Sequence, residues 1–116
     1  MTTINLCKTS DLVKGSGVCA LLEKGSEQHQ VALFYLPDTE QKVFGLSNWD
    51  PIGEANVMSR GILGSLSTDA GEALVVASPL YKQHFDLTTG QCLEEEDKSL
   101  ISYQVSIAGD DVVITV

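Results

Sequence analysis

The sequence is poor in the residues that staple small domains. Three cysteines occur in 116 residues, Cys7, Cys19 and Cys92, and no two form a Cys-x-x-Cys pair. An odd number without such a pair gives neither a disulfide framework nor a zinc knuckle. Basic residues are also few: seven Lys and Arg stand against 16 Asp and Glu, for a net charge of -9. A surface of that sign repels phosphate, and nucleic-acid binding needs clustered cations that release counterions. The scattered cations therefore argue against nucleic acid and against an anionic membrane as partners. Long apolar runs are missing too, since none approaches the roughly 20 residues that span a bilayer. Residues 1–6 lack the basic-then-apolar order of a signal peptide. The expected setting is the reducing cytoplasm, with free thiols. Helical periodicity is scarce as well, and Ser10-Asp11-Leu12 offers one turn at most.

What remains is alternation. Val18, Ala20 and Leu22 alternate with Cys19, Leu21 and Glu23. Ile101, Tyr103, Val105 and Ile107 alternate with Ser102, Gln104 and Ser106, and Val112, Ile114 and Val116 with Val113 and Thr115. Successive strand residues point to opposite faces, so period two marks half-buried strands. Val31–Leu36 and Leu74–Ala77 are apolar at every position and read as central strands covered on both sides. Turn signals at Gly25-Ser26-Glu27, Pro37-Asp38-Thr39, Thr88-Thr89-Gly90 and Gly109-Asp110-Asp111 separate the runs. This pattern predicts one all-β domain, a sandwich or open barrel, over residues 1–116. A chain of this length buries roughly 65% of its unfolded surface, enough for a core without staples.

Two segments break the alternation: Ser47-Asn48-Trp49-Asp50-Pro51-Ile52-Gly53-Glu54-Ala55, and residues 78–92 beginning Ser78-Pro79-Leu80-Tyr81-Lys82-Gln83-His84-Phe85. Each follows a strand-like run and opens on a Pro bend, and loops on a rigid scaffold are where sites are commonly held. No catalytic residue emerges from them. Ser78 sits between Ala77 and Pro79, outside any Gly-x-Ser-x-Gly elbow. His29, between Gln28 and Gln30, reads as a surface histidine. His84 has no thiolate or hydroxyl partner in a known motif and reads as part of the scaffold. Asp50 with Glu54, and Asp86 with the run Glu94-Glu95-Glu96-Asp97, lack the spacing of a calcium loop and read as surface carboxylates. Gly15-x-Gly17 lacks the strand and helix of a phosphate cradle. Trp49, the single tryptophan, lies at a loop base or tip, as core packing or as an aromatic anchor at an interface.

In these two loops, and in the tail Phe85-Asp86-Leu87-Thr88-Thr89-Gly90, the chain resembles a Rieske-type domain, in which two Pro-containing loops clasp a [2Fe–2S] cluster. The family's first loop reads Cys-x-His and its second Cys-x-x-His. Asp50 and Ile52 stand at the first pair of positions, and Ser78 and Tyr81 at the second. A Rieske cluster takes two thiolates on one iron and two imidazoles on the other, so the resemblance implies the architecture without the ligands. The two loops would belong to a smaller subdomain, roughly residues 47–90, closed by side-chain packing and hydrogen bonds.

The ordered combination of Ser47-Asn48-Trp49-Asp50-Pro51-Ile52-Gly53, Met58–Gly64 and Ala77–Phe85 is similar to the small subunits of assimilatory NADH-dependent nitrite reductases, from about Leu6 onward. That resemblance implies a non-catalytic chain with no metal or cofactor of its own. Its partner would be a large subunit that carries FAD, an iron–sulfur cluster and sirohaem and reduces nitrite to ammonium. Trp49, Tyr81, Lys82, Gln83 and His84 are then the candidate interface. Two alternatives remain open at this point: an independent electron carrier of the Rieske ferredoxin type, and a free-standing interaction module.

Overall fold

The alternating segments form strands. The structure, a computed structural model, describes residues 2–69 and 71–116. Among these residues the strands are β1 (Thr3–Lys8), β2 (Gly17–Lys24), β3 (Glu27–Tyr35), β4 (Val43–Ser47), β5 (Trp49–Asp50), β6 (Ala55–Asn56), β7 (Ile62–Thr68), β8 (Gly71–Ala77), β9 (His84–Asp86), β10 (Ser102–Ala108) and β11 (Asp111–Thr115). One sheet runs β1-β11-β10-β4-β3-β2, a second is the ribbon β5-β6, and a third runs β7-β8-β9, all antiparallel. The edge strands β1 and β2 of the large sheet contact one another, so it curls almost into a barrel. The helix signal near Ser10 is a single 3₁₀ turn, Thr9–Asp11, and a second covers Met58–Arg60.

The doubly apolar run of β3 has a direct physical reason. Val31 and Leu33 join Val43 of β4, Val105 of β10, and Val112 and Ile114 of β11 in the barrel interior. Their neighbours Ala32 and Phe34, with Phe44 and Leu46, face the other way and pack against Met58, Val76, Phe85, Leu87, Cys92 and Leu100. The three-stranded sheet thus lies on the outer face of β3 and β4, and these strands are walls of two cores at once. Each large buried side chain contributes about 1.5–3 kcal/mol relative to exposure, so the base of the loop region is held by the same strands that hold the barrel. Cys92 is a buried member of this second core, which accounts for one of the three thiols.

Two readings need correction. Ile101 continues the alternation of β10 in sequence, but the strand begins at Ser102 and Ile101 is 62% exposed. Asp50 is not a surface carboxylate. It is fully buried at the end of β5.

Candidate functional site

The loops that follow β5 and β8 are built alike. In the first, Asp50 is followed by Pro51, and the N–H of Glu54 donates to the Asp50 carbonyl at 2.8 Å. In the second, Ser78 is followed by Pro79, and the N–H of Lys82 donates to the Ser78 carbonyl at 3.0 Å. Each five-residue loop ends on a left-handed residue that is not glycine: Glu54 at φ 53° and Lys82 at φ 61°. Non-glycine residues adopt that region at a cost of about 1–3 kcal/mol and keep it where surrounding contacts impose it. The proline at the second position presets φ for the turn.

The first side chain of each loop caps its own turn. Asp50 Oδ1 accepts from the N–H groups of Ile52 at 2.8 Å and Gly53 at 3.0 Å. Ser78 Oγ accepts from the N–H of Leu80 at 3.3 Å. The two caps are then joined, because the Ser78 hydroxyl donates to Asp50 Oδ2 in a short hydrogen bond between two buried groups. A relay therefore runs from the Leu80 amide through Ser78 to Asp50 and on to the amides of Ile52 and Gly53. A carboxylate removed from water is tolerated only when its lone pairs are filled in this way. The loops also touch by packing. A Cβ added at Gly53 would run into Leu80 Cδ1 and come within 3.1 Å of Asp50 Oδ2.

These residues do not fit a [2Fe–2S] cluster. Both oxygens of Asp50 and the hydroxyl of Ser78 are consumed by one another and by loop amides, and Leu80 lies against Gly53 in the space between the loops. Ile52 has no donor atom, and Tyr81 points its ring outward at 64% exposure. Cys92 is packed in the second core, and the other two thiols lie elsewhere, Cys7 on β1 and Cys19 on β2. Burial pushes both thiols up, and the charge of Asp11 adds to the effect at Cys7, which favours the protonated form over a thiolate ligand. Among the described residues no group of three or more His, Cys, Asp or Glu side chains converges to hold a metal ion.

The structure divides the candidate interface residues. Tyr81 and Lys82, with Leu80 beside them, form the exposed tip of the second loop. Gln83 is half-buried and its Oε1 is enclosed. His84 starts β9 and is tied to the acidic run: its N–H donates to Glu94 Oε1 at 2.7 Å, and its Nδ1 pairs with Glu94 Oε2 at 2.6 Å. Glu94 is thus a strut for β9 within a run that reads as a solvated loop, a role hidden because the pair lies ten positions apart in sequence. Trp49 is 44% exposed, so it is not core packing. It lines a shallow cleft of about 230 Å³ with Gln30, Asn56, Ile101 and Tyr103. Leu80 and Asn48 escaped the sequence reading. Asn48 is buried, donates to Gln30 Oε1 at 2.9 Å and accepts from the Ser59 N–H at 2.7 Å, locking the entry to the first loop. Its neighbours Ser47 and Asp50 are polar too, so nothing in the local sequence set it apart.

Removing either end of the Asp50–Ser78 bond strands a buried polar group. Ser78→Ala is expected to destabilise the fold by about 2 kcal/mol. Asp50→Ala is expected to cost more, since it also orphans two amides. The double mutant should show a coupling energy of about 1–3 kcal/mol in chemical denaturation, and additive single effects would contradict the geometry.

Burial pushes the Glu94 carboxyl up, but the hydrogen bonds from the His84 amide and ring and the attraction of that ring outweigh it and hold it below the usual range. A depressed folded value gives stability that is present above the unfolded value and lost as pH falls through the folded one. The gap in urea midpoint between wild type and Glu94→Gln should therefore be full at about pH 7 and close below the ordinary glutamate value of 4.5. A gap unchanged down to about pH 3 would contradict the assignment.

Comparison with known proteins agrees with this architecture. The Rieske-like [2Fe-2S] domain family matches residues 2–115. The NADH nitrite reductase small subunit of Salmonella typhimurium is 46% identical over 103 residues, covering 89% of this chain and 87% of that protein. The solved structure of the Escherichia coli protein NirD is 36% identical, covers 97% of this chain and 96% of that one, and superposes with a TM-score of 0.77. A nitrite reductase [NAD(P)H] large subunit from Klebsiella oxytoca contains a segment 34% identical over 107 residues, 92% of this chain but 10% of that protein. With a family match over almost its whole length and relatives of this identity, the chain belongs to the Rieske-like domain family, in the branch of the NADH nitrite reductase small subunits.

Proposed function

We propose that this chain is the non-catalytic small subunit of a cytoplasmic NADH-dependent nitrite reductase. It acts by docking on a large subunit that carries FAD, an iron–sulfur cluster and sirohaem and reduces nitrite to ammonium in nitrate assimilation. The observation that carries the reading is the Klebsiella relative, whose large subunit holds a domain of this kind within the same polypeptide. A domain joined in one protein and separate in another fits a partner that binds the large subunit in trans. The closed loop pair supports a docking role over a redox one, because the positions that match the family's ligand sites are occupied with holding each other.

In this reading Tyr81 and Lys82 contact the large subunit, with Leu80 beside them and Trp49 as a second aromatic anchor. Exposed aromatics on a rigid base carry a large share of interface energy, because little ordering is needed on binding. Gln83 and His84 hold the tip from behind, Gln83 through its carbonyl, which accepts from the Ser78 N–H at 3.0 Å, and His84 through the Glu94 strut.

The test is nitrite-driven NADH oxidation by the purified large subunit with and without this chain, alongside co-elution on a sizing column. The expected result is co-elution and activity or stability that depends on the chain, with the Tyr81→Ala/Lys82→Ala double variant binding about tenfold or more weakly. A large subunit that is fully active and stable alone and never co-elutes would overturn the reading. Stoichiometric iron and sulfide with the chain after anaerobic purification would favour an electron carrier instead.

A further inference from the structure

The outer edge of β7 is the one long strand edge of the three-stranded sheet to which no described strand pairs. The pairing parity fixes which groups it shows. The Leu87 N–H donates to the Leu74 carbonyl at 2.9 Å, so Leu74 and Val76 turn their backbone groups toward β9. Ala73, Val75 and Ala77 then bond to β7 through Leu66, Gly64 and Ile62, their partners in register. The alternate residues Leu63, Ser65 and Ser67 turn N–H and C=O outward.

Sheet edges usually carry a device against further pairing: a charge, a proline, a bulge or a very short strand. β7 has none of these. It is seven residues long, Ile-Leu-Gly-Ser-Leu-Ser-Thr, without charge or proline, and its register with β8 runs unbroken from Ile62 to Thr68. Ile62, at its start, is 74% exposed and lies opposite Ala77, the residue that leads into the second loop. The edge and the loop tip thus open from the same end of the sheet.

We infer that the β7 edge is a β-augmentation site that receives an extended segment of the large subunit as a fourth strand. This rests on the functional reading above and names the surface by which the partner is held. Backbone ladders supply affinity in such additions, with side chains on alternate positions giving specificity. A second copy of this chain is disfavoured by charge and by size. Each copy carries -9, and a seven-residue edge is a strip of about 23 Å by about 10 Å, far below the roughly 800 Å² per partner of a stable interface. The large subunit can reach the loop tip as well and so make up the area. Asp69 and Glu72 stand exposed at the hairpin end of β7, so the incoming strand should carry Lys or Arg at that end.

The test is Ser65→Pro, assayed by co-elution and titration with the purified large subunit. Proline there removes an outward N–H and leaves the β7–β8 ladder intact. The expected result is a melting temperature near wild type and binding weakened about tenfold or more. Wild-type affinity in the variant would overturn the inference. Should the variant melt early, amide exchange in the wild-type complex decides: protection at Leu63, Ser65 and Ser67 that appears only with the large subunit supports strand addition. Unprotected amides in the complex overturn it. Protection that rises with the concentration of the isolated chain overturns it in favour of self-pairing. Failure of the wild-type chain to bind at all marks instead the failure of the functional reading, and the inference falls with it.

Discussion

The loop region depends on one buried carboxylate. Asp50 has no access to water, and each of its oxygens is matched to a donor: two amides of its own loop on one side and the Ser78 hydroxyl on the other. The low-dielectric surroundings that make an unpaired charge so unfavourable also make this matched set strong. The consequence is that two loops whose first residues lie 28 positions apart cannot open independently. The left-handed conformations at Glu54 and Lys82 are held inside this frame, and so is the projecting tip of Leu80, Tyr81 and Lys82.

The frame stands on the barrel. β3 and β4 carry apolar side chains on both faces because each face closes a different core, and the second core reaches through Phe85 and Leu87 to the strand that ends the second loop. Rigidity is transmitted from sheet to loop by packing, then from loop to loop by the hydrogen-bond relay. A surface preorganised in this way loses little entropy on docking. The same construction explains how a Rieske-like architecture persists around residues that do not fit a cluster: hydrogen bonds span the place between the loop roots.

Much of this was legible in the sequence. Alternation marked β2, β10 and β11, the doubly apolar runs marked the central strands β3 and β8, and the paired Pro bends marked both loops. Ile101 misled because its carbonyl still accepts from the Ser47 N–H of β4 while its side chain falls beyond the barrel core, exposed in the cleft beside Trp49. Asp50 misled because an aspartate beside a proline reads as a solvated turn; its burial is decided by Ser78, which lies far along the chain. Glu94 was obscured for the same reason, since its partner His84 lies in another element. Local pattern encodes strands and turns, whereas side-chain pairing across loops is set by tertiary packing.

The most direct test of the loop pair as one unit is site-resolved amide exchange in wild type and in Ser78→Ala. The Ile52 and Gly53 amides donate to Asp50, and the Leu80 amide donates to Ser78. All three should open with a common free energy in the wild type, and Ser78→Ala should lower protection in both loops together. Loss of protection at Leu80 alone, with Ile52 and Gly53 unchanged, would contradict it.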